Sequence, residues 1–219
     1  MKRIPAPQPV PGPQRIPTPI TTLRDLPHTA GWENCFALTF DDGPVEPWTE
    51  DLLDVLKSFD APATFFVLGS RAAERPALVA RMLDQGCTVA IHGWDHPHLP
   101  DLSPEERRAQ IERTRELLER LSGRDCRYVR PPYGDVTDEV MAELEDAGLT
   151  PVFWSVHAWD WERPGAARIA SDVNEGLEDG AVVLLHDGGG DRSQTVQAVR
   201  TVLEEAVRRG LRPVALPYV

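Results

Sequence analysis

Two adjacent carboxylates, Asp41 and Asp42, lie at the end of an apolar run, FALTFDDGP, that extends from Phe36 to Pro44. An apolar run with an aromatic and a β-branched member, closed by Gly-Pro, is typical of a buried β-strand. Charged side chains are costly at the end of such a strand unless something pairs with them. The pair therefore predicts a site at which one carboxylate binds a partner and the other is available as an acid or base.

Two histidines four residues apart, His92 and His96 in the stretch HGWDH, are candidate metal ligands. Gly93 lets the loop turn both rings inward, and Pro97 argues against a regular helix. With one carboxylate from the first strand they would form a His₂Asp set, which suits catalytic Zn²⁺, with Co²⁺, Mn²⁺ or Fe²⁺ as alternatives. A cation there would offset the repulsion between the two aspartates and lower the pKa of a bound water toward about 7.

Three further polar groups follow later apolar runs: Arg130–Tyr133, Asp160–Trp161 and His186–Asp187. The carboxyl ends of the strands of a parallel α/β barrel meet at one mouth, so these groups are expected to lie together there. His186 would then be the second half of an acid–base pair, able to protonate a leaving group.

The elements that must position these residues alternate regularly from Asn34 onward. Apolar runs predict seven strands. Six lie at 35–41, 63–69, 88–92, 150–157, 181–187 and 212–216, and one begins at Tyr128 and breaks at Pro131 and Pro132. Amphipathic segments predict six helices, at 48–59, 76–86, 104–121, 137–147, 166–177 and 193–209. Apolar strands separated by amphipathic helices indicate a parallel sheet covered on both faces. An α/β barrel of about seven strands fits best, and an open doubly wound sheet is the alternative.

The composition limits the classes of protein to which the chain can belong. Its 219 residues, 41% of them hydrophobic, can bury a sizeable core without disulfides. The formal net charge of −12, from 23 basic and 35 acidic residues, argues against binding to nucleic acid or an anionic membrane. No apolar stretch follows MKRIPAPQPV at the N-terminus, so no membrane insertion is expected and a cytoplasmic location is predicted. Secretion of a chain trimmed of its export signal is the alternative.

Residues 1–33 form a separate, Pro-rich region in which an extended backbone is expected. We interpret it as a strap or linker over the folded domain, which is predicted to span residues 34–219. A partner-binding tail is the alternative.

Taken together, the motifs resemble those of carbohydrate esterase family 4, the polysaccharide deacetylases with a NodB homology domain. The likeness extends from about Asn34 to Val219, and five elements occur in the family's order: Thr39–Pro44, His92–Pro97, Arg130–Tyr133, Asp160–Trp161 and Leu184–Asp187. It implies a distorted (β/α)₇ barrel, in agreement with the strand count.

The resemblance also implies a role for each motif residue. Asp41 would be the catalytic base, oriented by Arg130 with help from Asp160, and His186 would be the general acid. The metal ligands would be Asp42, His92 and His96.

The resemblance further implies how the substrate would be held. The backbone N–H of Tyr133 would stabilise the oxyanion, and Trp161 and Leu184 would wall the acetyl pocket. Trp94 and Trp159 near the motifs fit either stacking on sugar rings or core packing.

Two positions depart from the family pattern. Gly93 replaces the usual Ser or Thr after the first metal histidine, which removes a hydrogen bond that fixes the loop. His157 replaces the first Asp of the fourth motif, where an ordinary pocket histidine is favoured over a member of the catalytic network.

The sequence predicts a metal-dependent deacetylase that acts on the N-acetyl group of an N-acetylglucosamine-type sugar, oligosaccharide or polysaccharide. An O-acetyl xylan esterase, or a deformylase or amidase acting on a small metabolite, is the alternative on the same scaffold. An inert sugar-binding domain is disfavoured, because such a protein should have lost at least one ligand, base or acid, and the sequence retains them all.

Overall fold

The computed structural model of the chain describes residues 19–26 and 31–218. Its strands are β1 (Cys35–Asp41), β2 (Thr64–Val67), β3 (Thr88–Ile91), β4 (Tyr128–Val129), β5 (Thr150–Pro151), β6 (Val156–His157), β7 (Val182–His186) and β8 (Arg212–Pro213). Its α-helices are α1 (Trp48–Ser58), α2 (Gly69–Glu74), α3 (Pro76–Asp84), α4 (Pro104–Ser122), α5 (Asp138–Asp146), α6 (Ala166–Gly176) and α7 (Ser193–Arg209).

The strands form one parallel sheet in the order β5-β4-β3-β2-β1-β7-β6, and β8 pairs with the start of β1. This is the cyclic order of a barrel that is open between β5 and β6. A doubly wound sheet would instead start in the middle and run outward in both directions. The predicted α/β barrel fold is therefore confirmed, as a parallel sheet curled into a partial barrel.

The barrel is open at residues 150–157. The sequence predicted a single strand there, and that prediction is wrong. The segment forms two short strands, β5 and β6, at opposite ends of the sheet. Between them Ile20 pairs with Val152: the Ile20 N–H donates to the Pro151 carbonyl at 2.9 Å, and its own carbonyl accepts from the Phe153 N–H at 2.7 Å. A residue from the N-terminal region thus occupies the gap, which a local apolar pattern cannot reveal.

The strand predicted over 63–69 is shorter than expected. It ends at Val67, and Gly69 begins the short helix α2, which the sequence pattern did not indicate. The other helices lie within one or two residues of their predicted bounds.

The part of the Pro-rich region that the structure describes, residues 19–26, packs onto the sheet. Ile20, Leu23 and Leu26 are buried, and Arg24 pairs with Asp179 at 3.2 Å. Residues 1–18 and 27–30 lie outside the described residues, and the domain boundary after residue 33 stays a prediction. No helix of the described residues is long and apolar enough to cross a membrane.

Alternation along the strands decides which side chains enter the barrel. In β1, Phe36, Leu38 and Phe40 pack in the cluster beneath the helices, whereas Cys35 and Ala37 belong to a second cluster that also contains Phe66 and Tyr128. Successive strand residues point to opposite faces, so Asp41 shares the face of the small residues Cys35 and Ala37. Small side chains on this face leave room for large polar groups from other strands.

Helix α4 begins with a complete capping box. The Glu106 N–H donates to Ser103 Oγ at 3.4 Å, and the Ser103 N–H donates to Glu106 Oε2 at 2.9 Å, with Pro104 at the first helical position. The helix ends at Gly123 in the left-handed conformation. This long, well-terminated helix lies beside β3 and supplies a residue to the site described below.

Candidate active site

The floor of the site is a buried ion pair between Asp41 and Arg130. Arg130 Nη1 donates to Asp41 Oδ1 at 2.7 Å and to Thr39 Oγ1 at 2.8 Å, and Arg130 is fully buried. Its remaining donors reach main-chain carbonyls of Val152 and Phe153, each at 3.0 Å. Every guanidinium nitrogen is satisfied, so Arg130 is rigidly held and fixes one oxygen of Asp41 while Oδ2 remains available.

The second carboxylate reaches the same mouth through a change of backbone conformation. Strand alternation would send Asp41 and Asp42 to opposite faces, but β1 ends at Asp41 and Asp42 takes a left-handed backbone with φ of 74°. Arg71 Nη1 donates to the Asp42 carbonyl and holds this turn. Strained backbone of this kind is concentrated at functional sites. His96, Tyr133 and Trp159 around the same pocket also have positive φ.

Asp42, His92 and His96 present one ligand atom each, and these three atoms lie within 4.8 Å of one another. Asp42 Oδ1 is 3.5 Å from His92 Nε2 and 3.2 Å from His96 Nε2, yet it is buried and accepts no hydrogen bond from a described residue. Atoms bound to Zn²⁺ at tetrahedral angles are about 3.4 Å apart. An orphaned carboxylate oxygen between two imidazole nitrogens at this spacing fits a divalent cation.

The ring of His92 is oriented by its other nitrogen, which lies 2.7 Å from the Arg130 carbonyl. This contact leaves Nε2 directed at the Asp42 carboxylate, an arrangement found behind metal-binding histidines. Arg130 therefore serves both halves of the site, with its side chain on Asp41 and its carbonyl on His92.

The general-acid candidate, His186, is oriented by Asp160. Its Nδ1 lies 2.8 Å from Asp160 Oδ1, and its backbone N–H donates to Asp160 Oδ2 at 2.9 Å. Thr195 Oγ1 donates to the same oxygen at 2.8 Å. The expected assistance of Asp160 to Asp41 is thus corrected: β7 brings His186 next to Asp160, and Asp160 makes no hydrogen bond to Asp41 or Arg130.

The surroundings shift the pKa values of two of these groups in opposite directions. Burial alone would raise the pKa of Asp42, but the neighbouring His92, His96 and His186 hold it well below its usual range. Burial alone would lower the pKa of His186, but the bond to Asp160 and the charges of Asp41 and Asp42 raise it. The pocket therefore favours an ionised carboxylate at Asp42 and a protonated imidazole at His186.

The pocket above these groups has a volume of about 480 Å³ and largely aromatic walls. Tyr133, 58% exposed, stacks on His98 with ring centroids 3.8 Å apart. Trp159, 51% exposed, and Trp161, 37% exposed, lie on the other wall, and the Trp161 ring meets His186 edge-on at 5.1 Å. Leu184 is also part of this lining. The Tyr133 N–H donates to no described residue, so it is available to a ligand.

The arrangement can be compared with known proteins. The family described as polysaccharide deacetylase matches residues 29–152, more than half of the chain. The chain belongs to this polysaccharide deacetylase family. The resemblance drawn from the five sequence motifs is confirmed.

Relatives of known name share most of its length. A chitooligosaccharide deacetylase of Bradyrhizobium sp. (strain ANU 289) is 41% identical over 192 residues, 82% of this chain and 88% of that protein. A peptidoglycan-N-acetylglucosamine deacetylase of Bacillus cereus (strain ATCC 14579) is 37% identical over 182 residues, 82% of this chain and 85% of that protein.

The fold is similar to that of solved members of the family. A crystal structure of a peptidoglycan N-acetylglucosamine deacetylase, in complex with 4-naphthalen-1-yl-N-oxidanyl-benzamide, matches with a TM-score of 0.83 at 33% identity and covers 90% of each chain.

In this polysaccharide deacetylase, the loop-fixing contact expected to be missing at Gly93 is supplied by Gln110 of α4. Gln110 Oε1 accepts from the Trp94 N–H at 2.7 Å and the Asp95 N–H at 3.2 Å, and its Nε2 donates to Asp95 Oδ1 at 2.6 Å. Gly93 itself has a φ of 79°, a conformation that Ser or Thr rarely adopts. The His92–His96 loop is therefore clamped from a helix that the motif comparison did not consider.

The second departure, His157, lies in the pocket wall. Its Nδ1 is buried and has no hydrogen-bond partner among the described residues, and its ring meets Trp159 edge-on at 4.8 Å. Of the undecided tryptophans, Trp159 lines the pocket, whereas Trp94 packs against the core beneath the Arg113 guanidinium, 3.5 Å from its ring.

Sequence reasoning did not single out several residues that support or line the site, among them Gln110, Thr195, Arg192 and Arg71. A polar residue within a helix, or in a Gly-rich loop, gives no local signal of a contact to a distant strand end. Only the RSQT stretch, Arg192–Thr195, which begins four residues after the last strand motif, could have drawn attention by its position.

Proposed function

We propose that the protein is a metal-dependent hydrolase that removes the N-acetyl group from an N-acetylglucosamine-type sugar, oligosaccharide or polysaccharide. The observation that carries the proposal is the convergence in one pocket of a three-residue ligand set, a base fixed by Arg130 and an acid fixed by Asp160. The relatives named as chitooligosaccharide and peptidoglycan deacetylases support the same reaction and substrate class.

Asp42, His92 and His96 would hold the cation, and Zn²⁺ suits their oxygen and nitrogen donors, with Co²⁺, Mn²⁺ and Fe²⁺ as alternatives. Such an ion supplies Lewis-acid polarisation of the acetyl carbonyl and a lower pKa for the attacking water.

The chain's own residues would perform the proton transfers. Asp41 would accept a proton through Oδ2 as water adds to the acetyl carbon, since Arg130 occupies its other oxygen. The Tyr133 N–H would donate to the developing oxyanion. His186, kept protonated beside Asp160, would give its proton to the nitrogen as the C–N bond breaks. The products are acetate and a free amine.

The pocket walls favour a sugar as the substrate. Trp161 and Leu184 would enclose the acetyl methyl group, and Trp159 offers an exposed ring face to the apolar side of a pyranose. The cytoplasmic location expected from the sequence stays a prediction.

The test is acetate release from N-acetylchitooligosaccharides by chelator-treated protein, before and after reloading with Zn²⁺ or Co²⁺. Release that depends on the added metal is expected. Undiminished release after chelation would contradict the metal dependence, and no release by stoichiometrically loaded protein would contradict the substrate, with acetylated xylan then the next substrate to assay.

Variants of the ligand set provide an independent check. Asp42→Ala, His92→Ala and His96→Ala should each lose stoichiometric metal binding, because a three-ligand site does not retain its affinity with two. Asp101→Ala, which removes an exposed carboxylate a few residues beyond His96, is the matched control and should bind as the parent does. Metal binding by all three ligand variants would refute the assignment.

A further inference from the structure

His157 is a pocket residue with an unsatisfied polar atom that the proposed reaction does not use. It stands where the motif comparison expects an aspartate, and it belongs to the lining of the active-site pocket. Its Nδ1 is buried and has no hydrogen-bond partner among the described residues. Burying a polar atom without a partner is costly, so the ring is expected to gain its partner when the pocket is filled.

The strand register places His157 one layer deeper in the barrel than the reacting groups. Asp41 of β1 and His186 of β7 are register partners near the mouth. Two residues earlier in β7, Leu184 is paired with His157 of β6. Two residues along a strand advance about 6.5 Å and keep the same face. His157 therefore lies below the reacting centre, beside the leucine proposed to enclose the acetyl methyl group.

The other polar side chain in this layer is already satisfied. Thr39 of β1 is the second register partner of Leu184. Its Oγ1 donates to the Val183 carbonyl at 2.7 Å and accepts from Arg130 Nη1 at 2.8 Å. The spare hydrogen-bonding capacity of this layer is therefore that of the His157 imidazole, at the end of the pocket that would receive the acyl group.

The ring of His157 can present Nδ1 to the pocket by rotation. A half-turn about the Cβ–Cγ bond exchanges Nδ1 with Cδ2, and torsions of this kind are broad and roughly two-fold. A neutral imidazole has one donor and one acceptor nitrogen, so its best partner is a group that can both donate and accept. A hydroxyl meets this requirement, whereas the methyl group of an acetamide does not.

We propose that His157 forms a binding site for a hydroxylated acyl group, so that the protein also hydrolyses the N-glycolyl (hydroxyacetyl) group of an amino sugar. The inference rests on the proposed function, because it uses the same reacting groups and places the acyl tail at Leu184. A glycolyl group is an acetyl group with one added hydroxyl, the smallest change that gives the tail a hydrogen-bonding group.

The reaction balances in the same way as deacetylation. Water adds to the glycolyl carbonyl carbon and gives one proton to Asp41. The C–N bond then breaks, and His186 supplies a proton to the departing nitrogen. The products are glycolate and a free amine, and the glycolyl hydroxyl stays unchanged on its carbon.

The test compares three oligosaccharides of equal length that carry N-acetyl, N-glycolyl or N-propionyl groups. The propionyl group is matched in size to the glycolyl group and has a methyl in place of the hydroxyl. The ratio of kcat/KM for N-glycolyl over N-propionyl should fall about tenfold in His157→Leu, the scale of one hydrogen bond to a buried group. His157→Asn should keep part of the ratio, because its amide places a donor and an acceptor near the position of Nδ1.

His98→Leu is the matched control. It removes an exposed imidazole that stacks on Tyr133 and should leave the glycolyl-to-propionyl ratio as in the parent. A purely structural His157 would instead lower the turnover of all three substrates by the same factor in His157→Leu. That result, or an unchanged ratio in His157→Leu, would overturn the proposal.

A binding measurement, which needs no variant, separates this inference from the proposed function. The N-glycolyl oligosaccharide titrated into chelator-treated protein should shift the ¹⁵N resonance of His157 Nδ1, and the N-propionyl oligosaccharide should leave it in place. If the enzyme hydrolyses none of the three substrates but the N-glycolyl compound shifts this resonance, the reaction assignment fails and the acyl site stands. If N-acetyl groups are hydrolysed but the N-glycolyl compound leaves the resonance in place, the acyl site fails alone.

Discussion

Arg130 and Arg107 are both shielded from solvent and both clamped by carboxylates, yet they lie in regions with different properties. Arg130 lies inside the barrel, where its partner Asp41 is 3% exposed. Arg107 lies between α4 and α5, beside a surface groove of about 300 Å³, and its partners Glu139 and Glu143 have side chains that are 66% and 34% exposed. Their geometry is similar, with donor–acceptor distances of 2.6–2.8 Å in both.

The two arginines respond to these surroundings in opposite ways. Burial lowers the pKa of Arg130, although Asp41 opposes this. The hydrogen bonds to Glu143 raise the pKa of Arg107. An ion pair in low dielectric is strongly coupled to its surroundings, whereas one at the surface is screened by water. The depth of the ion pair, and not the pairing itself, therefore distinguishes the floor of the candidate active site from the clamp at the surface.

The largest expected effect that separates the two regions is on turnover. Asp41→Asn should lower kcat by about 10³-fold or more, because it removes the proposed base, while stoichiometric metal binding persists. Glu143→Gln should leave kcat as in the parent. Kinetics and metal analysis on both proteins check this, and metal loss in Asp41→Asn would mean that the roles of Asp41 and Asp42 are exchanged.

The second-largest expected difference between the two ion pairs is in their contribution to the free energy of unfolding. Arg130→Met leaves Asp41 buried without its partner and should lower the free energy of unfolding by about 3–5 kcal/mol. Arg107→Met should cost about 1 kcal/mol or less, since its partners remain solvated. Urea unfolding measures both. Equal losses would show that the depth of the pair does not matter.

Gln110 sharpens the contrast, because it lies one turn after Arg107 on α4 but reaches the His92–His96 loop. Gln110→Ala should weaken metal affinity about 10- to 100-fold, as is usual when a residue that positions the ligands is lost. Glu116→Ala, an exposed change on the same helix, is the control. A competition titration with a chromophoric chelator measures both, and unchanged affinity in Gln110→Ala would show that the loop holds itself.

The smallest effect is a displacement of the pH profile. The raised pKa of His186 keeps its acid form present below that pKa, and activity is lost as the pH rises through it. Asp160→Asn removes the largest contribution that raises this pKa, so the alkaline limb of kcat/KM should move to lower pH. Glu162→Gln, an exposed change in the same turn, should leave the limb in place. A limb that stays fixed in Asp160→Asn would exclude His186 as the group that titrates.

Much of the fold could be predicted because its signals are local. The apolar run of β1, the Ser103 cap of α4 and the terminal glycine of α7 each report on a few neighbouring residues. The single strand expected over 150–157 failed for the opposite reason, because Ile20 supplies the pairing from more than 100 residues away. Short segments whose partners are distant carry no such signal.

The sequence by itself determined the alternation of strands and helices, the family, and the set of residues from which the site is drawn. The reason is that hydrophobic periodicity and motif spacing are properties of neighbouring residues. Only the tertiary structure decided that Asp160 holds His186, that Gln110 clamps the His92–His96 loop, and that Arg192 lines the pocket. Each of these depends on how the barrel closes, because strand register and the left-handed turns at strand ends bring distant side chains within hydrogen-bonding distance.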